Sequence, residues 1–275
     1  MTLPPTRSAS MIQVMASPDL HCPPRRPHAW FPVALASQLL VALAWWQWGW
    51  PAGLALLLAS HGLFFWGVMK PDSRLFAPVL ARLPTDEPAV WLTIDDGPSD
   101  DTLPILDLLD AHGATATFFL VGERAAARPE LVREIVRRGH EVGNHSQHHP
   151  QAWFWALGPR RMQREVAEAQ ELLTRLAGTP PRWFRAVVGM ANPFLAAPLR
   201  RHGLARVAWS ARGFDALERD PAKVIARIGR DLGPGAIVLL HEGARHGRNV
   251  ETVERLLEML ARRGYRPVVP GRTTG

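Results

Sequence analysis

Two adjacent carboxylates, Asp95 and Asp96, follow an apolar run and precede a Gly97-Pro98 turn. A helix cap would occupy one of them, which leaves the second without a folding role. Some fifty residues on, His145 and His149 stand four apart, a spacing that puts two imidazoles on one face of a helical turn. Two imidazole nitrogens and the Asp96 oxygen would hold one divalent ion and leave room for water, the pattern of a catalytic rather than a structural metal site. A further histidine, His241, closes an apolar run where an imidazole has no packing purpose. His112 and His148 read as surface histidines.

The elements that must position these groups alternate regularly. Short apolar runs rich in β-branched and aromatic residues fall at 90–95, 115–121, 140–145, 183–186, 205–210, 236–241 and 267–269, as buried parallel strands do. Helical runs lie between them at 103–111, 129–138, 160–177 and 249–263; the last three stop at Gly139, Gly178 and Gly264. Seven strand–helix units predict a parallel α/β fold, either a barrel or a doubly wound sheet. In both, the carboxyl ends of strands gather into one site. Asp95, Asp96, His145 and His241 all stand at such ends.

Thr93-Ile94-Asp95-Asp96-Gly97-Pro98 together with His145-Ser146-Gln147-His148-His149 resembles the polysaccharide deacetylase family, also known as the NodB homology domain or carbohydrate esterase family four. Three weaker likenesses follow. Arg185 stands at the third motif's arginine, with Ala186-Val187-Val188-Gly189 where a Pro-rich stretch is usual. Residues 209–215, ending in Asp215, resemble the fourth motif, with Ala216 where Trp is common. Leu239-Leu240-His241 resembles the fifth. The resemblance covers about residues 88–270 and implies an irregular (β/α) barrel of about seven units. It implies that Asp96, His145 and His149 hold a divalent metal, zinc, with cobalt or nickel as alternatives. It also implies Asp95 as general base, Arg185 as its ion-pair partner, His241 as general acid and Asp215 behind His241. Read without the family, Arg185 and Asp215 would serve equally well as a simple buried ion pair. The implied reaction removes an acetyl group from the nitrogen of a glycan. The alternatives are a non-catalytic glycan-binding protein that keeps the fold, and a metallohydrolase of a non-sugar amide.

Ahead of this region, residues 30–69 contain no Asp, Glu, Lys or Arg. As one helix, 40 residues would reach roughly 60 Å, about twice a hydrocarbon core. Two spans, near 30–48 and 52–69, fit better, turning at Gly49 beside Trp45, Trp46, Trp48 and Trp50. The expected organisation is a mobile tail over 1–29, a transmembrane hairpin over 30–69, a linker over 70–87 and a catalytic domain over 88–275. Arg25 and Arg26 before the hairpin, with Lys70 and Arg74 after it, favour both termini on the cytoplasmic side of a bacterial-type inner membrane. The net charge of +7 suits an anionic partner, and a lipid-linked or other membrane-proximal N-acetylated sugar is the expected one. No nucleic-acid docking motif or basic stripe with interleaved aromatics is present. The single cysteine, Cys22, excludes an intrachain disulfide.

Overall fold

The computed structural model describes residues 20–270; the first part of the expected tail, residues 1–19, lies outside them. Two helices come first, α1 (Trp30–Trp48) and α2 (Trp50–Met69), and they turn at Gly49, whose φ of 79° suits glycine. They pack side by side, with Ser60 Oγ donating to Ser37 Oγ at 2.9 Å across the apolar interface. By length and composition α2 is the one described helix able to cross a membrane. The tryptophans, Gln38 and Gln47 of α1 lower its hydropathy, so the expected pair of spans is carried by one helix on this criterion.

The rest is a curled parallel sheet wrapped by helices. In chain order it comprises β1 (Ala89–Gly97), α3 (Thr102–Ala111), β2 (Ala116–Leu120), α4 (Gly122–Ala127), α5 (Pro129–Arg137), β3 (Glu141–Asn144), α6 (Pro159–Ala177), β4 (Trp183–Phe184), α7 (Ala196–Arg201), β5 (Ala205–Arg206), β6 (Ala211–Arg212), α8 (Pro221–Asp231), β7 (Ile237–His241), α9 (Asn249–Arg262) and β8 (Arg266–Pro267). The strand order is β5-β4-β3-β2-β1-β7-β6, with β8 beside the start of β1. Of the run expected as one strand at 205–210 only Ala205–Arg206 is strand, β5; the next strand, β6, begins just past it at Ala211 and lies on the opposite edge of the sheet. Between them Ala208 leaves the ladder, its N–H donating to Leu80 O and its carbonyl accepting from Arg185.

The open gap between those edges is filled by the segment that enters from the hairpin. Leu80 pairs with Val207, Arg82 bridges to Ala236, and the Leu83 N–H donates to Gly235 O at 2.8 Å. Period-two alternation along β1 divides the core. Val90, Leu92 and Ile94 face the helices, among Ile105, Leu109, Ile135 and Leu256. Trp91 faces the barrel interior with Phe119, Trp183 and Leu83. Thr93 and Asp95 follow Trp91 on that inner face, so the strand itself aims the Asp95 carboxylate inward.

Candidate active site

Strict alternation would turn Asp96 away from Asp95. It does not, because the β1–β2 register shifts between Asp95 and Gly97 and Asp96 takes a φ of 72°. Both carboxylates therefore face the same cavity at the carboxyl ends of the strands, a space of about 250 Å³. The Asp96 carbonyl accepts from the Arg124 guanidinium, which secures the turn.

His145 and His149 reach this point from the loop after β3. Buried Asn144 accepts from the Ser146 N–H, and Ser146 Oγ accepts from the His149 N–H at 3.1 Å. His145 Nδ1 lies 2.9 Å from the Arg185 carbonyl, which can only accept. The proton therefore sits on Nδ1, and the Nε2 lone pair faces Asp96. Asp96 Oδ1 is 3.4 Å from His145 Nε2 and 3.0 Å from His149 Nε2, and the three ligand atoms lie within 4.8 Å of one another. That oxygen is buried and makes no hydrogen bond. An orphaned carboxylate oxygen beside two imidazole nitrogens fits a divalent cation.

Two further pairs stand against this centre. Arg185, fully buried across the barrel interior, donates from Nη1 to Asp95 Oδ1 at 2.8 Å and to Thr93 Oγ1 at 2.7 Å, and from Nη2 to Ala208 O at 3.0 Å. Its guanidinium also lies over the Phe119 ring, 4.3 Å from the centroid. Asp95 Oδ2 remains 3.8 Å from His145 Nε2, on the side of the metal ligands. At the end of β7, His241 Nδ1 lies 2.9 Å from Asp215 Oδ1, and the His241 N–H donates to Asp215 Oδ2. Burial opposes charge on His241, but Asp215, with Asp95 and Asp96 beyond, pushes its pKa up to about 9. Arg185 and Asp215 thus belong to two separate pairs and do not form one ion pair with each other.

Among the described residues, five non-glycine residues adopt positive φ: Asp96, Ser146, His149, Val188 and Phe214. Four line the cavity and Ser146 lies between two of the ligands. Strained backbone concentrated in this way marks a site that its surroundings over-determine. Sequence reasoning missed several supporting groups. Buried Glu165, on α6, accepts from the Gln147 and His148 N–H groups and lies 3.1 Å from His148 Nδ1, so it fixes the histidine loop. Buried Glu242 accepts from the Ser99 N–H, Ser99 Oγ and Thr102 Oγ1, which pins the turn after Asp96 to β7. Glu165 has no motif of its own, being visible only as a buried acid on an otherwise amphipathic helix.

Comparison with known proteins agrees with this architecture. A family model described as polysaccharide deacetylase matches residues 82–207. A chitooligosaccharide deacetylase of Sinorhizobium fredii is 34% identical over 198 residues, spanning 67% of this chain and 91% of that protein. Among solved structures, a peptidoglycan N-acetylglucosamine deacetylase superposes with a TM-score of 0.64 at 28% identity, covering 69% of this chain and 89% of the other. A family 4 carbohydrate esterase from Streptomyces lividans, in complex with acetate, gives a TM-score of 0.60 at 31% identity, covering 66% and 92%. The likeness holds in both sequence and fold and takes in about nine tenths of each of these relatives, so the chain belongs to the polysaccharide deacetylase family, carbohydrate esterase family four, and is a hydrolase of that family.

Proposed function

We propose that this protein removes the N-acetyl group of a glycan held at a membrane surface, with a divalent metal, zinc in the first instance, on Asp96, His145 and His149. The observation that carries this reading is the placing of two charged pairs, Arg185–Asp95 and Asp215–His241, on the same cavity as the three ligands. Each pair suits one of the two proton transfers that amide hydrolysis requires. A divalent ion in that position polarises the acyl carbonyl and acidifies water.

The chain's own residues do the rest. Asp95 takes a proton from the attacking water. Arg185, donating to Oδ1, fixes the orientation of the carboxylate, so that Oδ2 points at the reacting centre. The water oxygen joins the acyl carbon, the carbon–nitrogen bond breaks, and the departing nitrogen takes a proton from His241. Asp215 holds the imidazole by Nδ1, which leaves Nε2 to donate. The products are a carboxylate and a free amino sugar. Leu239 and Trp209 line the same cavity and keep solvent from its walls.

Support for the membrane part of the reading comes from the foot of the hairpin. Trp30 meets Phe194 edge-on at 5.5 Å, the Ala191 N–H donates to Val68 O, and Phe65 meets Trp155 at 6.4 Å. These partners belong to loops that border the cavity, so substrate would enter close to the bilayer. The test is acetate release from N-acetylated glycan oligomers by the full chain in detergent micelles. Zinc or cobalt should restore activity to chelated protein, and Asp95→Ala and His145→Ala should each lower kcat on the order of 10²-fold or more. Release that persists in both variants would overturn the assignment.

A further inference from the structure

One cation in the cavity has no counter-charge. Arg212, at the end of β6, is half-buried between two rings, its guanidinium 3.9 Å from the Phe214 centroid and 5.5 Å from that of Trp209. Among the described residues it makes no ion pair. Arg227 on the same Phe214 ring is different, since it pairs with Glu218 at 3.0 Å. Burial acts on Arg212 alone, lowering its pKa with no carboxylate to offset it. Stacking against aromatic faces fixes the plane of a guanidinium and leaves its N–H edge available, the geometry used for phosphate and carboxylate oxygens.

The exposed apolar side chains supply the second observation. Outside the hairpin, the large hydrophobic residues exposed among the described ones are Leu103, Trp153, Trp155, Val188, Phe214 and Leu217. Val188, Phe214 and Leu217 line the cavity mouth, and Leu217 is 80% exposed. Trp153 and Trp155 follow Gln151, another lining residue, and Trp155 touches Phe65 of α2. Exposed Arg160, Arg161 and Arg164 come next in sequence. Tryptophan beside arginine, continuous with a helix able to cross a bilayer, is the composition of a headgroup-level belt. An apolar patch around an enzyme's mouth marks the surface on which it works.

We propose that the substrate is an N-acylated sugar carried on a phosphate-linked lipid, with Arg212 binding the phosphate and the rim Trp153, Trp155, Val188, Phe214 and Leu217 lying against the lipid. This rests on the deacetylase reading and narrows its substrate. Ala216, beside Phe214 in the cavity wall, leaves space on that side for the linkage.

The test uses the full chain in detergent micelles and three ligands: N-acetylglucosamine on farnesyl phosphate, farnesyl N-acetylglucosaminide lacking the phosphate, and soluble N-acetylglucosamine 1-phosphate. The first should be turned over with kcat/KM at least tenfold above the other two. A charge-assisted hydrogen bond contributes about 1.5–3 kcal/mol, so Arg212→Gln should erase roughly 10- to 100-fold of the preference over the uncharged lipid, and Arg212→Lys should restore part of it. Absence of a preference in the wild type, or an equal loss on charged and uncharged lipids, overturns the proposal. Equal turnover of the soluble phosphate overturns the lipid half. Calorimetric binding of farnesyl phosphate to metal-free protein separates the two readings. Arg212-dependent binding without acetate release from any substrate means that the deacetylase reading has failed and the phosphate site has not.

Discussion

Asp215 sets both the orientation and the charge of His241. The imidazole carries its proton up to about pH 9 chiefly because a buried carboxylate lies 2.9 Å away, with Asp95 and Asp96 adding to its effect. A general acid works while protonated, so its activity limb falls as pH rises through its pKa. A divalent ion at Asp96 repels the imidazolium and draws that limb below 9. Asp215→Asn removes the stabilising charge while keeping the shape. The alkaline limb of kcat should then move down by at least one further pH unit, toward the ordinary imidazole range, with kcat reduced at every pH. A limb that stays in place would assign the acid to another group. Much of this centre is legible in the sequence, because Asp95, Asp96, His145 and His241 are polar residues ending apolar runs, where packing gives them no purpose. What pairs with what is not legible. The Arg185–Asp95 contact joins residues ninety apart, and no local pattern distinguishes it from an Arg185–Asp215 pair. Arg212 is equally silent in sequence, since its significance lies in the carboxylate that is missing beside it.

At the scale of elements, the site depends on how β1 ends. Asp96 alone bulges out of the ladder, between Asp95 paired with Phe119 and Gly97 paired with Leu120, so that two successive carboxylates face inward, and Glu242 holds the turn that follows. A Cβ at Gly97 would run into the Glu242 carboxyl, which is why the motif needs glycine there. Glu242 Oε1 is buried without a hydrogen-bond partner, and burial pushes the pKa up to about 7, against the bonds from Thr102 and Ser99. The folded state therefore retains this proton where the unfolded chain has lost it. Stability declines as pH rises from about 4.5 to 7, by roughly 3 kcal/mol in all. In chelator-treated protein, Glu242→Gln removes that titration. Its Tm relative to wild type should improve by roughly 5–10 °C between pH 5 and pH 8. A difference constant across that range would mean that Glu242 titrates as an ordinary carboxyl. Long elements such as α6 and α9 were readable from apolar periodicity and their glycine stops. The short helices α4 and α7 were not, since fewer than two turns give periodicity nothing to repeat. The early end of the strand expected at 205–210, after Arg206, was hidden because Leu80, far away in sequence, takes the hydrogen bonds that a continuous strand would have used.

At the scale of the whole molecule, the hairpin and the catalytic unit constrain each other's orientation. Trp30 and Val68 both meet the loop at 191–194, so the two ends of the hairpin share one side, and Gly49 lies at the far end of both helices. Helices of 19 and 20 residues reach about 30 Å, the thickness of a hydrocarbon core, though among the described helices α2 alone is also apolar enough to cross one. Tryptophans stand at both levels, Trp30 and Trp66 near the domain and Trp45, Trp46, Trp48 and Trp50 at the turn. Positive charge stands at one level only: Arg25, Arg26, Lys70 and Arg74 are on the domain side, and no Lys or Arg lies in the turn. On that asymmetry we propose that the domain side faces the cytoplasm, where a lipid-linked intermediate would be met before export. Cys22 offers a direct readout. It is the chain's one cysteine, it is exposed, and its neighbour His21 lies against Trp183 and the Arg182 carbonyl, so it reports the side that holds the catalytic unit. A membrane-impermeant maleimide should leave Cys22 unlabelled in intact spheroplasts and label it in inverted membrane vesicles. Labelling in intact spheroplasts would put the catalytic unit outside. An exported glycan or peptidoglycan would then replace the cytoplasmic lipid-linked sugar as the substrate to pursue, with Asp95 and the ligand triad unaffected.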